Sequence, residues 1–307
     1  MISIRNVRKR FGDTEAVAGL SLEIATGEIF GIVGPDGAGK STLLRMISTI
    51  LAPNEGAVEI DGVNVFENPY RIKDHLAYMP QRFGLYEDLT VEENLVFFGR
   101  LFGVTRREIR SRMKRLYQFS RLEPFRDRLA GNLSGGMKQK LGLACSLIHN
   151  PRVILLDEPT NGVDPVSRRE FWNILYELLS DGVTIVVSTA YLDEAERCNR
   201  IALMFNGGIV VTGRPGEIKR SIGRRFVAFT TSDPRHSEEA LREVPEFEGV
   251  ILTGNTLHVF VDSVAAARRR IVAHLRRKRI RVLSFKETLP GLEDCFVDIV
   301  ARGGRSA

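Results

Sequence analysis

The chain has 307 residues, of which 43% are hydrophobic and 27% charged, and this balance excludes disordered and fibrous proteins. Its 44 basic and 38 acidic residues are well mixed, so the net charge of +6 does not by itself indicate nucleic acid or an anionic surface as a partner. Cys145, Cys198 and Cys295 are odd in number and far apart, which predicts buried, reduced thiols rather than disulfides or a zinc site.

No apolar stretch approaches the roughly 18 residues that a membrane span needs. Residues 1–12 are too polar and charged for a signal peptide. We therefore expect the chain to stay in the cytoplasm. Its length predicts one large domain with a small one, or two of similar size.

Short apolar runs with helical patterns between them occupy the chain up to about residue 222. Several runs are β-branched and flanked by Gly, Asn or Asp, which indicates buried strands of a mainly parallel sheet. These predicted strands are residues 28–33, 153–157, 183–188 and 201–205. A strand at 208–212 and a helix opened by Pro215 complete an α/β domain, for which we predict the range 1–222.

A glycine-rich segment follows the first of these strands and precedes an apolar helical pattern. It matches GxxxxGK[ST] and reads Gly34-Pro35-Asp36-Gly37-Ala38-Gly39-Lys40-Ser41-Thr42. In this context the backbone N–H groups turn toward phosphate oxygens, Lys40 reaches the β- and γ-phosphates, and the hydroxyl of Ser41 ligates Mg²⁺. The segment predicts an ATP site, with a chance glycine-rich turn as the alternative.

A second anion site is predicted at the start of a later helical pattern, which runs to Leu147. Its sequence is Leu133-Ser134-Gly135-Gly136-Met137-Lys138-Gln139, with one hydroxyl and two glycine amides at a helix N-terminus. One chain does not need two γ-phosphate cradles, so we expect a dimer in which residues 134–136 cap the nucleotide on the partner's phosphate loop. An ordinary serine-capped helix is the alternative.

The predicted strand at 153–157 ends in two acids, Asp157 and Glu158. One acid can hold Mg²⁺ while the next orients and deprotonates the attacking water, which is the division of labour that phosphoryl transfer needs. We therefore predict a metal role for Asp157 and a catalytic role for Glu158, together with Lys40. A plain strand end with solvated acids is the alternative.

These motifs make residues 2–222 resemble the nucleotide-binding domain of ABC transporters, and LSGG at 133–136 is the signature of that family. The resemblance implies a P-loop NTPase fold with a mainly parallel core sheet, an antiparallel subdomain and a helical subdomain. It implies ATP and Mg²⁺ as cofactors, and a transmembrane permease and a second ATP-binding domain as partners. The chain would then lie peripherally on the cytoplasmic face of the plasma (inner) membrane, bound through the permease.

The resemblance also implies roles for single residues. Phe11 is the aromatic that stacks on adenine, Gln81 completes the Mg²⁺ shell and senses the γ-phosphate, and Asp164 is the acid of the loop that crosses the dimer interface. A core phenylalanine and a solvated glutamine are the alternatives for the first two. Segment 82–103 is the region that in the family receives the coupling helix of the permease. Contacts to the partner's ATP are expected from Leu133, Ser134, Gly135, Gly136 and Gln139.

One position departs from the family pattern. After the strand at 183–188 the family places a histidine that hydrogen-bonds the γ-phosphate, and here Ala190 stands in that position. A lost hydrogen bond to a charged group slows turnover roughly 10- to 100-fold. Because Glu158 is intact, we expect the slower half of an asymmetric ATPase pair, similar to the first of two unequal ATPase domains that some bacterial exporters carry fused.

Beyond residue 222 the pattern predicts a small α+β domain at 223–307, with the order βαββαβ and a terminal helix. Its predicted elements are a strand at 226–231, a helix from Ser237, strands at 250–252 and 257–261, a helix from Val264, a strand at 280–285 and a helix from Pro290. This part resembles the C-terminal extension of drug-exporter ATPases of the daunorubicin-resistance kind. Residues 268–281 hold eight basic residues and no acid, which indicates a solvated helix face or contact with anionic headgroups or an acidic partner.

We therefore predict an ATP-hydrolysing subunit that powers an ABC transporter, with the C-terminal domain favouring export. One alternative is a soluble ABC ATPase acting on ribosomes or nucleic acid, but such relatives usually join two ATPase domains in one chain, and no nucleic acid partner is expected here. The other alternative is a non-hydrolytic ATP-dependent clamp, which Ala190 favours and the intact Asp157-Glu158 pair opposes.

Overall fold

The computed structural model describes residues 1–221, 223–247 and 249–303. It divides into two compact units, Met1–Ile209 and Val210–Ala307. The sequence predicted the boundary after Ile222, a residue that lies outside the described ones. The observed division comes earlier because the helix Pro215–Ser221 contacts the terminal helix Leu292–Gly303 and so packs within the second unit.

The ten strands between residues 2 and 213 belong to two sheets, and the last of them, β10, runs across the division. They are β1 (Ile2–Phe11), β2 (Thr14–Ile24), β3 (Ile29–Val33), β4 (Glu55–Ile60), β5 (Val63–Asn64), β6 (Leu76–Met79), β7 (Val153–Asp157), β8 (Thr184–Thr189), β9 (Arg200–Phe205) and β10 (Gly208–Gly213). The helices between them are α1 (Lys40–Ile47), α2 (Pro69–Lys73), α3 (Val91–Leu101), α4 (Arg106–Ser120), α5 (Gly135–Leu147), α6 (Pro165–Ser180) and α7 (Leu192–Ala195), with 3₁₀ turns at Glu123–Phe125 and Ala130–Asn132.

The larger sheet has the strand order β10-β9-β3-β8-β7-β6, and β9, β3, β8, β7 and β6 pair in parallel. The smaller sheet, β2-β1-β4-β5, is antiparallel. Buried side chains of both sheets and of α1 form one core, which includes Ile4, Phe30 and Leu44. Strands such as β3 and β7 are buried throughout, which is why they read as continuous apolar runs in the sequence. The predicted mainly parallel core and antiparallel subdomain are confirmed.

Helices α3, α4 and α5 pack against one another and form the predicted helical subdomain. Both α3 and α4 begin with a capping box, in which Thr90 pairs with Glu93 and Thr105 with Glu108. Helix α5 also contacts β6 and α6, so it connects this subdomain to the core sheet. The helix that begins after Ser134 is therefore packed against both parts of the unit.

The second unit has the predicted order βαββαβ with a terminal helix. Its elements are α8 (Pro215–Ser221), β11 (Arg225–Thr231), α9 (Pro234–Arg242), a 3₁₀ turn at Pro245–Phe247, β12 (Ile251–Thr253), β13 (Thr256–Val261), α10 (Val264–Arg277), β14 (Val282–Thr288) and α11 (Leu292–Gly303). The sheet order is β12-β13-β11-β14 and every pair is antiparallel. Phe229 and Ile271 lie in its separate buried core, to which α9 and α10 contribute.

The predicted start of α9 at Ser237 is wrong. The helix begins three residues earlier, because Asp233 caps it through the N–H of His236 and Pro234 occupies the first turn. Ser237 is instead buried, and its hydroxyl lies 2.8 Å from that of Thr231. An Asp-Pro pair before an apolar helical pattern is the local signal that identifies this start.

Candidate functional site

The glycine-rich loop joins the end of β3 to the start of α1. Gly39 has a φ of +100°, and a Cβ on it would lie 2.2 Å from the carbonyl oxygen of Ala16. A Cβ on Gly34 would lie 2.2 Å from the carbonyl oxygen of Met204. Because both neighbours are backbone atoms, only glycine fits at these two positions. The loop therefore brings its backbone close around the N-terminus of α1, where N–H groups favour an anion.

Lys40 is buried at the start of α1. Its Nζ donates to the carbonyl oxygens of Gly34 at 2.8 Å and Pro35 at 3.1 Å. The same ammonium lies 3.0 Å from Oε1 of Glu158. A buried ammonium needs such partners to offset its loss of hydration. Lys40 thus connects the phosphate loop to the end of β7.

Asp157, at the end of β7, is 1% exposed. Its Oδ1 accepts hydrogen bonds from the hydroxyls of Ser41 at 2.8 Å and Ser188 at 2.7 Å, and its Oδ2 accepts from the hydroxyl of Tyr78 at 3.2 Å. Burial, with the charge of Asp157 next, raises the pKa of Tyr78, so the phenol keeps its proton and remains a donor. The alternative of a solvated acid is therefore wrong for Asp157.

Glu158 follows directly and has a φ of +47°, which is unusual for a residue with a side chain. Its N–H donates to Oγ of Ser188 at 2.9 Å. Its carboxylate meets Lys40 at 3.0 Å, Nε2 of Gln81 at 3.1 Å and Nδ2 of Asn161 at 3.3 Å. Such left-handed conformations cost about 1–2 kcal/mol and persist where the surroundings determine them, often at functional sites.

The residues predicted to hold Mg²⁺ supply hydroxyl, amide and carboxylate oxygens, the ligand types that this ion prefers. Ser41 and Asp157 share a hydrogen bond, while Gln81 reaches the same region through Glu158. The donor set of this loop and of the strand ends β6 and β7 therefore fits Mg²⁺ bound together with a phosphate.

Phe11 ends β1 and is 51% exposed, so the alternative of a core phenylalanine is wrong. Lys9 Nζ lies 5.5 Å from the centre of its ring. The exposed phenyl ring of Phe11 is thus free to stack on a flat ligand.

The remaining residues of the phosphate loop differ in burial. Pro35, Asp36 and Gly37 are exposed, Ala38 is buried in the core, and Thr42 is half-buried in α1.

Ser134 caps α5, accepting a hydrogen bond from the N–H of Met137 at 3.3 Å. Leu133 is buried, and Oε1 of Gln139 is buried without a hydrogen-bond partner. Within residues 1–221, 223–247 and 249–303, no hydrogen bond joins residues 133–139 to the phosphate loop. Ser134 therefore does cap a helix. Within the described residues, the segment 133–139 takes no part in the phosphate site of its own chain.

The two glycines of this signature differ in their surroundings. A Cβ on Gly136 would lie 2.4 Å from Cβ of Ser167 in α6, whereas one on Gly135 would meet no atom within 4 Å. Gly136 is thus required for the close approach of α5 and α6. Gly135 has no such packing requirement.

Asp164 caps α6, accepting hydrogen bonds from the N–H groups of Val166 at 3.0 Å and Ser167 at 2.9 Å. These bonds hold the pKa of the Asp164 carboxyl below its usual range. Its local role is therefore to begin the helix.

Ala190 is exposed just after β8 and has no side chain that reaches the site. The next residue, Tyr191, lies with its hydroxyl 3.5 Å from Oδ1 of Asn161, and the guanidinium of Arg168 stands 4.6 Å from the centre of its ring. Asn161 in turn contacts Glu158. The segment after β8 thus approaches Glu158 through Tyr191 and Asn161.

Sequence reasoning missed Tyr78, Asn161 and Ser188. Ser188 had a usable signal, because β7 and β8 are parallel neighbours whose register pairs Asp157 with Ser188. Carboxyl ends of parallel strands meet at one edge of a sheet, where polar side chains converge. Tyr78, near the end of β6, shares that edge because β6 also pairs with β7 in parallel, but β6 was not predicted from the sequence. Asn161 offered no comparable pattern.

A mainly parallel sheet with a phosphate loop, two acids at a neighbouring strand end and an LSGG-capped helix defines a P-loop ATPase of the ABC type. Residues 17–161 match the family model described as ABC transporter. Residues 213–300 match the model described as ATP-binding protein DrrA1-3-like, C-terminal domain.

The chain is 36% identical to the Nod factor export ATP-binding protein I of Rhizobium sp. (strain N33), over 98% of this chain and 97% of that protein. It is 40% identical to the probable multidrug ABC transporter ATP-binding protein YbhF of Escherichia coli (strain K12), over 100% of this chain and 53% of that protein. The chain thus spans about half the length of YbhF. It belongs to the family of ABC transporter ATP-binding proteins, which are ATPases, and carries a DrrA-like C-terminal domain.

Solved structures agree with this assignment. A bacterial ABC transporter cassette determined as a dimer matches with a TM-score of 0.63 and 30% identity, over 70% of this chain and 98% of that one. In the described ranges of the present chain, none of the helices combines the length and the apolarity that crossing a membrane requires.

Proposed function

We propose that this chain is the ATP-binding and ATP-hydrolysing subunit that powers an exporter, through ATP-driven dimerisation against a separate membrane permease. The observation that carries the proposal is the meeting of Lys40, Ser41, Asp157 and Glu158 where β3 and β7 end. Export is supported by the two relatives, whose names contain multidrug transport and Nod factor export. Docking on the permease would hold the chain at the cytoplasmic face of the inner membrane.

Each side chain of the site has a separate role in the proposed ATP hydrolysis. Lys40 and the loop amides bind the phosphates, and Ser41, Asp157 and Gln81 would hold Mg²⁺, which neutralises phosphate charge when bound. Glu158 orients and deprotonates the attacking water. The ammonium of Lys40 now faces the carboxylate of Glu158 at 3.0 Å. An anionic γ-phosphate offers Lys40 a competing partner, which leaves Glu158 available for the water.

The remaining predicted residues act at the edges of the nucleotide. Phe11 stacks on adenine, a contact worth about 1–3 kcal/mol by analogy with base stacking. Residues 133–136 and Gln139 contact the ATP of the opposing domain, and Asp164 lies in the loop that crosses between domains. The dimeric relative and the absence of hydrogen bonds from residues 133–139 to their own phosphate loop, within the described part of the chain, support this arrangement.

We also propose that the site on this chain's own loop is the slower one of an asymmetric pair. Ala190 leaves the γ-phosphate without the hydrogen bond that a histidine supplies. The loss corresponds to roughly a 10- to 100-fold slower step. The intact signature of this chain then serves a faster site on a different ATPase domain.

Steady-state ATP hydrolysis by the wild type, Glu158→Gln and Ala190→His tests these proposals. We expect Glu158→Gln to bind ATP normally and to lose turnover by about 100-fold or more, since general-base catalysis contributes on that order. Ala190→His should raise turnover. Fast wild-type turnover that Ala190→His leaves unchanged would refute the slow site, and ATP-dependent dimerisation without turnover would instead establish the clamp.

The partners are identified by purifying a tagged copy of the chain from detergent-solubilised membranes. A permease together with a second, different ATPase supports the asymmetric pair. A permease alone supports a homodimer, and ribosomes or nucleic acid in place of a permease would contradict the transporter proposal.

A further inference from the structure

We propose that Glu194 is a positioning residue for Glu158, because it fastens the turn after the catalytic carboxylate to the end of β8 and to α6. This inference rests on the proposed ATPase function. It concerns a buried carboxylate that neither binds the phosphates nor belongs to the motifs identified in the sequence.

Glu194 lies in the short helix α7 and is fully buried. Its Oε1 accepts a hydrogen bond from the hydroxyl of Thr160, and its Oε2 accepts one from the hydroxyl of Thr189 at 2.8 Å. Both threonines are 1% exposed. A carboxylate taken out of water persists only where donors and a counter-charge satisfy it.

The counter-charge comes from Arg168 on α6. Its Nε lies 3.4 Å from Oε1 of Glu194, without the alignment of a hydrogen bond, so the contact is an ion pair. The same guanidinium lies over the ring of Tyr191. The cluster formed by the buried residues Glu194, Thr160 and Thr189 with the half-buried Arg168 therefore joins three elements, namely the turn after β7, the end of β8 and helix α6.

The turn after β7 carries Glu158 at its start. Inside it, the N–H of Asn161 donates to the carbonyl oxygen of Glu158 at 3.1 Å, and the N–H of Val163 donates to that of Thr160 at 3.2 Å. Ser188 holds the N–H of Glu158 on one side, and Glu194 holds the side chain of Thr160 on the other. The backbone of the catalytic residue is thus fixed from both directions, which keeps its carboxylate in a productive orientation.

The side chain of Glu194 does not bond to the phosphate loop, because its hydrogen bonds go to Thr160 and Thr189 rather than to Lys40 or Ser41. The loop meets Thr189 through the backbone, where the N–H of Gly34 donates to the carbonyl oxygen of Thr189 at 3.2 Å, and changes at Glu194 or Thr160 leave both of these backbone groups in place. A defect in the cluster should therefore misplace Glu158 without weakening ATP binding. In kinetic terms kcat falls while the Kd for ATP stays the same. A residue with a purely structural role would change both, or neither.

The test compares Glu194→Gln, Thr160→Val and the double variant by kcat, by the Kd for Mg-ATP and by melting temperature. Each single change should lower kcat by about 10- to 100-fold, the effect of displacing a catalytic group by about 1 Å. The Kd should stay within about twofold of the wild-type value. The double variant should be no slower than the worse single variant, because both break the same connection.

Two controls separate positioning from stability. Thr160→Ser keeps the hydroxyl, so its kcat should be close to that of the wild type. If Glu194→Gln does not fold, the comparison of Thr160→Ser with Thr160→Val tests the inference without it. Ser237→Ala removes an equally buried hydroxyl contact in the second unit, to Thr231, and should lower the melting temperature without changing kcat.

Wild-type kcat in both Glu194→Gln and Thr160→Val, or a matching loss of ATP affinity, would overturn the inference while leaving the proposed function intact. A wild-type protein that hydrolyses ATP no faster than Glu158→Gln would overturn both.

Discussion

Gly39 combines a left-handed backbone with a close backbone neighbour, the carbonyl oxygen of Ala16. In Gly39→Ala the new Cβ cannot be accommodated without moving β2 or the loop, so we expect nucleotide binding to be lost. Gly27 has a similar φ of +69°, but a Cβ on it would meet no atom within 4 Å. Gly27→Ala should therefore cost only the backbone strain, about 1–2 kcal/mol, and keep ATP binding.

Equilibrium titration with Mg-ATP and thermal melting of the two variants check this prediction. Equal ATP affinity in Gly39→Ala and Gly27→Ala would show that the loop tolerates displacement, contrary to the expectation.

His149 predicts a pH dependence of stability. Burial lowers the pKa of His149, whose ring stacks on Phe102 with 4.1 Å between ring centres. The unfolded chain then binds the proton more tightly than the folded chain. Stability from this residue is complete above the ordinary value of 6.5 and is lost as the pH falls through it toward the folded-state pKa.

Urea midpoints of the wild type and His149→Gln between about pH 8 and pH 5 measure this contribution. The wild type should lose more stability than the variant on acidification. Parallel curves for the two proteins would assign the acid sensitivity to other groups.

At the scale of elements, the two neighbouring glycines at the start of α5 are predicted to have different roles, Gly136 in helix packing and Gly135 in contact with a nucleotide. Gly136→Ala places a methyl group against Ser167 and should destabilise the α5–α6 contact by about 1–3 kcal/mol, the usual cost of overpacking. Gly135→Ala meets no atom and replaces glycine within a helix by the best helix former, so its stability should be unchanged or higher.

Melting temperature and turnover distinguish the two effects. If Gly135 presents its amide to a partner's nucleotide, Gly135→Ala should slow turnover in the assembled dimer without loss of stability. A stable Gly136→Ala protein would mean that α6 moves away easily, and a fully active Gly135→Ala protein would remove Gly135 from the interface.

The elements differ in how well the sequence predicted them. The strand at 153–157 was predicted residue for residue, because a run buried on both faces is apolar throughout and ends at an acid. The cluster around Glu194 was not predicted, because its members come from β8, α7, α6 and the turn after β7 and share no spacing. Glu194 itself stands among exposed neighbours such as Asp193, where an acid normally indicates a solvated face. Its burial is a consequence of tertiary packing alone.

At the scale of the whole molecule, two separate cores predict two unfolding transitions. Phe229 is fully buried in the core of the second unit and Leu44 in that of the first. Phe229→Ala should destabilise the second unit by about 3–5 kcal/mol, and Leu44→Ala should destabilise the first by about 2–5 kcal/mol. Calorimetry of both variants checks this prediction. A single transition that both variants shift equally would show that the units unfold together.

The division between the units shows where sequence patterns stop being informative. The order βαββαβ was predicted from apolar periodicity. No pattern within the helix at 215–221, however, indicates the unit with which that helix packs. Its contact with α11 depends on a segment more than seventy residues later in the chain. Short helices between two domains are therefore the elements that only coordinates can assign.

The carbonyl groups of Ala16 and Met204 pack against Gly39 and Gly34 and so support the phosphate loop. A loop braced in this way is already ordered before a nucleotide arrives, so binding need not include the entropic cost of ordering it. Nucleotide exchange should then be governed by how quickly the ligand's own contacts break. If Phe11 stacks on the base and an opposing domain caps the nucleotide, as proposed above, the time that ADP remains bound would depend on those contacts and on salt, rather than on loop opening.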